Sequence, residues 1–196
     1  MHDCNADRRS YKHLAEKLAM SGLHVLNLDF RGFGESTTEK VSQLLIRKKA
    51  KNIRAYQTSM ASLTSFWKKD SFLASQWLRK RVDNSKQIAV ISTGCSVNYA
   101  VNVAEKMHVN SFVFIAPEMD YGDKERYKNL PDSSSYFISS AHQLASYKIS
   151  EELFAWNGAS NTKLQIFKDK RNGHTLLHHQ IGLTEDITNW LSRNLK

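Results

Sequence analysis

The chain has 196 residues, with 28 Lys plus Arg against 19 Asp plus Glu and a formal net charge of +9. Gly (8) and Pro (2) are scarce and 41% of the residues are hydrophobic, which excludes collagen-like, linker-like and wholly disordered chains. No apolar run reaches the roughly 18–20 residues that a membrane span needs, and the first residues lack the hydrophobic stretch of a signal peptide. We therefore expect a single soluble domain over residues 1–196, located in the cytoplasm.

The spacing of the cysteines and the positions of the basic clusters indicate which kinds of metal site and partner to expect. Cys4 and Cys95 lie far apart with no metal-ligand spacing, so we expect neither a disulfide framework nor a zinc site, in keeping with a reducing cytoplasm. The basic clusters at 47–54 and 68–81 alternate with helix formers, which favours solvated helix faces. No nucleic-acid motif accompanies them, so no nucleic-acid partner is expected. DNA binding through 47–54 remains a minor alternative, to be tested by a salt-sensitive shift.

In chain order, the apolar pattern alternates between helical and strand spacing. A helix is predicted from Tyr11 to Leu18, ending at Ser21 and Gly22. Strands are predicted at 24–30, 87–92, 111–116, 135–139 and 163–167, and further helices at 37–81, from residue 96, around 149–156 and at 187–195. Strands alternating with helices predict an α/β fold with a mostly parallel sheet, whose ligands bind at the carboxyl ends of the strands.

The predicted strand at 87–92 leads directly into a helix. A serine on a sharp turn of this kind lies above the sheet at a helix N-terminus, which is the geometry of an activated nucleophile. The segment from Gly94 to Asn98 fits G-x-S-x-G with Ser96 at its centre, except that Asn98 replaces the last glycine. A serine that opens a helix is often an N-cap, so this segment alone leaves both interpretations open.

A second candidate, His174, follows the last predicted strand. A histidine on a loop at the carboxyl edge of a sheet can act as general base for a serine on a neighbouring strand. His178 and His179 lie close by, so an ordinary surface histidine is the alternative.

The segment from Asp29 to Ser36 contains Gly32 and Gly34 after a predicted strand. It does not complete a dinucleotide-binding fingerprint, because the third glycine would fall at Thr37. Together with the helix from Tyr11, it resembles the helix, strand and D-x-R-G-x-G-x-S loop of the α/β-hydrolase superfamily. The branch it resembles holds the monoacylglycerol lipases and serine aminopeptidases. The resemblance continues over 82–104, 172–177 and 187–195, and it implies an α/β-hydrolase fold over nearly the whole chain.

This resemblance implies a serine hydrolase that cleaves a carboxylic ester, thioester or amide in a small acyl substrate. Ser96 takes the place of the nucleophile and His174 that of the general base. The backbone N–H groups of Val97 and Cys4 take the places of the oxyanion donors, which contribute on the order of 10²–10³ in rate. No metal or organic cofactor is implied.

Several departures favour a second hypothesis, a catalytically inactive binding or scaffold protein with the same fold. Asn98 stands at a glycine position, and Asp3 stands where the family has a glycine beside an oxyanion donor. The segment 139–144, which usually carries the triad acid, has no carboxylate. Asp120, or alternatively Glu118, could supply the acid from the preceding strand end.

Two further expectations concern the chain's first residues and Cys95. The family strand that lies between those ending at Asp29 and Ser92 is absent, which predicts a gap in the sheet and suggests a missing N-terminal segment. Some relatives use a cysteine nucleophile. Cys95 precedes the expected position by one residue, however, so its side chain should point into the packed sheet.

Overall fold

A computed structural model describes residues 1–82, 87–131, 133–171 and 173–195. Its strands are β1 (Ala89–Thr93), β2 (Ser111–Ile115), β3 (Ser134–Ser140) and β4 (Lys163–Phe167). They form a parallel sheet in the order β1-β2-β3-β4, with Val90 opposite Phe112 and Phe114 opposite Phe137. Sequential strands pair in parallel because helices connect them, so the predicted α/β class and these four strands are confirmed.

The helices cover both faces of the sheet. They are α1 (Lys12–Met20), α2 (Gln43–Lys49), α3 (Ile53–Thr64), α4 (Trp67–Arg79), α5 (Val97–Ala104), α6 (Tyr121–Lys128), α7 (Leu144–Trp156), α8 (Gly173–His179) and α9 (Leu183–Asn194). The predicted helical stretch at 37–81 is divided into α2, α3 and α4. The sequence pattern did not predict α6 or α8. No helix in the described ranges is long and apolar enough to cross a membrane.

The strands alternate their side chains between two apolar layers. On one face, Val113 and Ile138 belong to a core that includes side chains of α1, α8 and α9. On the other, Phe112 and Phe137 belong to a core with side chains of α5, α6 and α7. A third cluster is centred on Phe30 and Trp67, whose rings stack 4.5 Å apart. The indole N–H of Trp67 donates to the carbonyl of Arg31 at 3.0 Å, so α4 holds the 29–36 loop in place.

The predicted strand at 24–30 is not a strand in the structure. This segment belongs to no ladder, and a cavity of about 430 Å³ separates it from β1. Apolar side chains such as Leu14, Leu26 and Ile91 line the cavity. Since β1 pairs only with β2, segment 24–30 has no neighbouring strand to bond with. The cavity lies where the sequence analysis predicts a gap in the sheet.

Candidate functional site

The turn from β1 to α5 passes through a short 3₁₀ segment from Gly94 to Ser96. Gly94 has φ +55°, in the left-handed region, whereas Ser96 has the helical values φ −77° and ψ −6°. The residue at the apex of this sharp turn is therefore Gly94, in a backbone conformation that would strain any residue with a side chain. In a strand-to-helix turn that presents a nucleophile, the nucleophile occupies the strained position. Ser96 lies two residues further on.

Ser96 is fully buried, and its Oγ is engaged by backbone groups. The Oγ accepts from the N–H of Thr93 at 3.0 Å and lies 3.0 Å from the carbonyl of Thr93 and 3.1 Å from that of Met1. The structure thus places the predicted nucleophile inside the turn, closing it as a cap. Val97, the predicted oxyanion donor, already donates its N–H to the carbonyl of Gly94. The apex of the turn, Gly94, lies two residues before the serine on which the sequence motif was centred.

The carboxylate of Asp3 lies against the apex of the turn. The N–H of Cys4 donates to its Oδ1 at 2.6 Å, and the N–H of Cys95 also hydrogen-bonds to this carboxylate. A Cβ added at Gly94 would lie 2.6 Å from Oδ1, and one added at Gly173 would lie 2.7 Å from Oδ2. Burial raises the pKa of Asp3, while the N–H donors of Cys4 and Cys95 and the nearby His174 act in the opposite direction. The carboxylate of Asp3 thus lies beside Gly94 and accepts from the backbone N–H groups of Cys4 and Cys95.

Cys4 and Cys95 are joined by a disulfide bond, with their Cα atoms 5.9 Å apart. The expectation of no disulfide is therefore wrong for this pair. The fold brings the first loop onto the strand-to-helix turn, a proximity that sequence spacing alone does not reveal. The side chain of Cys95 packs against the Phe30–Trp67 cluster, not into the sheet. The bond fixes the two N–H donors of Asp3 relative to each other.

His174 lies in the first turn of α8, not in the predicted loop. Its ring lies 6.5 Å from the ring of Tyr11, and Tyr11 Oη accepts from the N–H of Asp3 at 3.3 Å. The Nδ1 atom of His174 is buried and has no hydrogen-bond partner among the described residues. In a catalytic triad this nitrogen donates to the acid. Two residues of the segments that resemble the α/β-hydrolases lie outside the described residues: Asn172, at the start of the histidine segment 172–177, and Asp83, near the start of the segment 82–104.

The candidate acids are placed elsewhere. Asp120 is exposed, and its Oδ1 caps α6 by accepting from the N–H of Asp123 at 2.8 Å. Glu118 lies on the loop that touches the turn, with its N–H 3.2 Å from the carbonyl of Gly94. Partial burial, and then the charge of Asp3, raise the pKa of Glu118. Asp169 accepts from Arg171 and Gln180. None of these carboxylates hydrogen-bonds to Nδ1 of His174.

His2 anchors the Asp3 loop to the segment after residue 28. Its Nδ1 lies 2.7 Å from the carbonyl of Asp3, and its Nε2 accepts from the N–H of Phe30 at 2.9 Å. This pair of bonds fits a neutral ring protonated at Nδ1. Burial lowers the pKa of His2 to about 4. His2 thus has a structural role, since it holds Asp3 in position.

The sequence analysis named Asp3 and Gly94 but did not predict that Gly94 forms the apex of the turn or that Asp3 lies against it. The available signal was a pair of small residues, Ser92 and Ser96, two positions on either side of Gly94. Both are fully buried, as close helix–sheet packing around a sharp turn requires. Among the described residues, no group of three His, Cys, Asp or Glu side chains could hold a metal ion.

Comparison with known proteins supports the fold. No family model and no curated protein matches the sequence. Among solved structures, a dienelactone hydrolase from Anabaena variabilis is 15% identical with a TM-score of 0.65, over 98% of this chain and 82% of that chain. An esterase from Pyrococcus furiosus is 15% identical with a TM-score of 0.66, over 100% of this chain and 82% of that one. The chain therefore has an α/β-hydrolase fold.

Proposed function

We propose that this chain is a non-hydrolytic α/β-hydrolase-fold protein that acts by binding and lacks a serine nucleophile. The observation that carries the proposal is Gly94 at the apex of the strand-to-helix turn. A nucleophile there must present an oxygen or sulfur above the sheet, and glycine has no side chain to do so. This is the inactive alternative of the sequence analysis, preferred over hydrolysis through Ser96.

The surroundings of Gly94 support the same proposal. Acyl transfer builds negative charge on a substrate oxygen, which backbone N–H donors must be free to stabilise. The N–H groups of Cys4 and Cys95 already bond to Asp3, an anion built into the chain. A substrate oxyanion would have to displace a carboxylate that the fold supplies at the same place.

The histidine also lacks its support. A general base beside a serine needs an acid on its other nitrogen to fix the tautomer, and losing that acid costs about 10⁴ in kcat. Nδ1 of His174 is unpartnered among the described residues, and the Oγ of Ser96 bonds to backbone groups of Thr93 and Met1. A cytoplasmic location remains a separate proposal, and it no longer rests on the cysteines, because Cys4 and Cys95 form a disulfide bond.

A fluorophosphonate probe tests this proposal, since it labels activated serines. The purified protein and Ser96→Ala would be treated alongside a serine esterase of established activity, and each would be weighed by intact mass. We expect an adduct on the esterase and none on this protein, with circular dichroism confirming that it is folded. One adduct on the unmodified chain that disappears in Ser96→Ala would restore the serine hydrolase hypothesis.

A further inference from the structure

The chain's net charge is concentrated in one part of the fold. Residues 37–81 contain eleven Lys and Arg against two acids, Glu39 and Asp70, so this segment carries the whole net charge of +9. Asp70 forms an ion pair at 2.8 Å with Arg31, a residue that lies outside this segment. None of the eleven basic side chains forms an ion pair with another described residue. The segment spans α2, α3 and α4, and its charge is available to an external partner.

The outer face of α4 combines this charge with exposed apolar side chains. Its inner face buries Trp67, Ser71 and Ser75. Opposite them, Lys69, Leu73 and Trp77 follow helical spacing, and Arg81 lies two residues past the end of α4. We call this the α4 stripe: Lys69, Leu73, Trp77 and Arg81.

Both apolar members of the α4 stripe are half exposed. Leu73 and Trp77 each keep 49% of their surface accessible. The guanidinium of Arg81 lies 3.8 Å from the ring centre of Trp77, so a cation covers one face of the ring. The stripe has a basic residue at each end and apolar side chains between, and its helical part from Lys69 to Trp77 is about 12 Å long.

We propose that the α4 stripe docks on the surface of an anionic lipid bilayer, with α4 lying parallel to the membrane plane. Leu73 and Trp77 would enter the headgroup–acyl boundary, where tryptophan is favoured, while Lys69 and Arg81 would pair with lipid phosphates and carboxylates. Charge complementarity selects an anionic partner. The aliphatic Leu73 has no counterpart on a nucleic-acid backbone, which favours a lipid surface over DNA. This proposal is independent of the absence of a nucleophile.

Vesicle sedimentation tests the proposal with the intact chain. Vesicles of phosphatidylcholine alone would be compared with vesicles containing about one-third phosphatidylserine. We expect binding to the anionic vesicles, and at least tenfold weaker binding to the neutral ones. Lys69→Gln/Arg81→Gln should bind about 25-fold more weakly, since each basic residue near such a surface contributes about fivefold. At high salt, where the charges are screened, the unmodified chain should keep some binding through its apolar side chains. Leu73→Ser/Trp77→Ser should lose this residual binding.

Matched controls locate the effect. Lys12→Gln/Lys17→Gln on α1 removes the same charge outside the segment, and Leu44→Ser/Ile53→Ser removes two exposed apolar side chains from α2 and α3. Both should bind like the unmodified chain. The proposal is overturned if either control loses as much binding as the stripe variants, or if neutral vesicles bind equally well. Normal vesicle binding by Leu73→Ser/Trp77→Ser, together with displacement of the vesicles by duplex DNA, would also overturn the proposal. So would a dimer of the unmodified chain that becomes monomeric in Leu73→Ser/Trp77→Ser, because the stripe would then be a contact between two copies of the chain.

Discussion

Placing a serine at Gly94 tests whether this residue and Asp3 compete for one space. The substitution Gly94→Ser puts a side chain at φ +55°, which costs about 1–2 kcal/mol for an L-residue. Its Cβ would lie 2.6 Å from Oδ1 of Asp3, so the carboxylate must move away from the N–H groups of Cys4 and Cys95. Leaving such donors unpaired costs about 1–3 kcal/mol. We expect Gly94→Ser to lower the free energy of unfolding by about 2–5 kcal/mol in total.

A double-mutant cycle isolates the steric part. Asp3→Gly removes the carboxylate, so Gly94→Ser in that background should cost only the backbone term and show a coupling of about 1–3 kcal/mol. Urea denaturation followed by circular dichroism supplies all four values. Gly22→Ser is the matched control, because Gly22 has φ +88° with nothing within 4 Å of an added Cβ. If Gly94→Ser and Asp3→Gly are additive within about 0.5 kcal/mol, the two groups do not share the space and the description of the site is wrong.

Three other predictions concern residues around the turn. Ser96→Ala should lower the free energy of unfolding by about 1–3 kcal/mol, because it leaves the N–H of Thr93 unpaired; an unchanged or raised melting temperature would contradict the capping role. Burial lowers the pKa of His2 from 6.5 to about 4, so the unfolded chain binds the extra proton between these values. Stability should be fully present above about pH 6.5 and fall by up to about 3 kcal/mol towards pH 4, a slope that His2→Gln should reduce. Cys4→Ser/Cys95→Ser should cost about 2–5 kcal/mol in oxidising buffer, and added reductant should abolish the difference from the unmodified chain.

The sheet was predictable because its strands are short apolar runs between clear helical patterns. β2 and β4 start where the sequence analysis starts them, and the residues of β2 are buried on both faces of the sheet. The segment 24–30 has the composition of a strand but not its hydrogen bonds. A strand needs a neighbour as well as a suitable sequence, and composition does not reveal whether the neighbour is present.

The site was harder to predict because its motif has two possible alignments. G-x-S-x-G centred on Ser96 fits the sequence, but the alignment centred on Gly94 fits the backbone. Glycine adopts φ +55° without strain. The apex of the turn, where a hydrolase would carry its nucleophile, is therefore also a favourable position for the glycine found there, Gly94. The contact of Asp3 with Cys95 joins distant segments, and nothing local in the sequence encodes it.

Fluorophosphonate labelling of Asp3→Gly, measured by intact mass, tests the central claim most directly. This variant removes the built-in carboxylate from the N–H groups of Cys4 and Cys95 but keeps Ser96 and His174. If Gly94 occupies the nucleophile's position, Asp3→Gly should stay unlabelled. The double variant Asp3→Gly/Gly94→Ser has a hydroxyl at the apex of the turn, so an adduct is expected only there. An adduct on Ser96 in Asp3→Gly alone would show that Ser96 is the nucleophile, and would contradict the account.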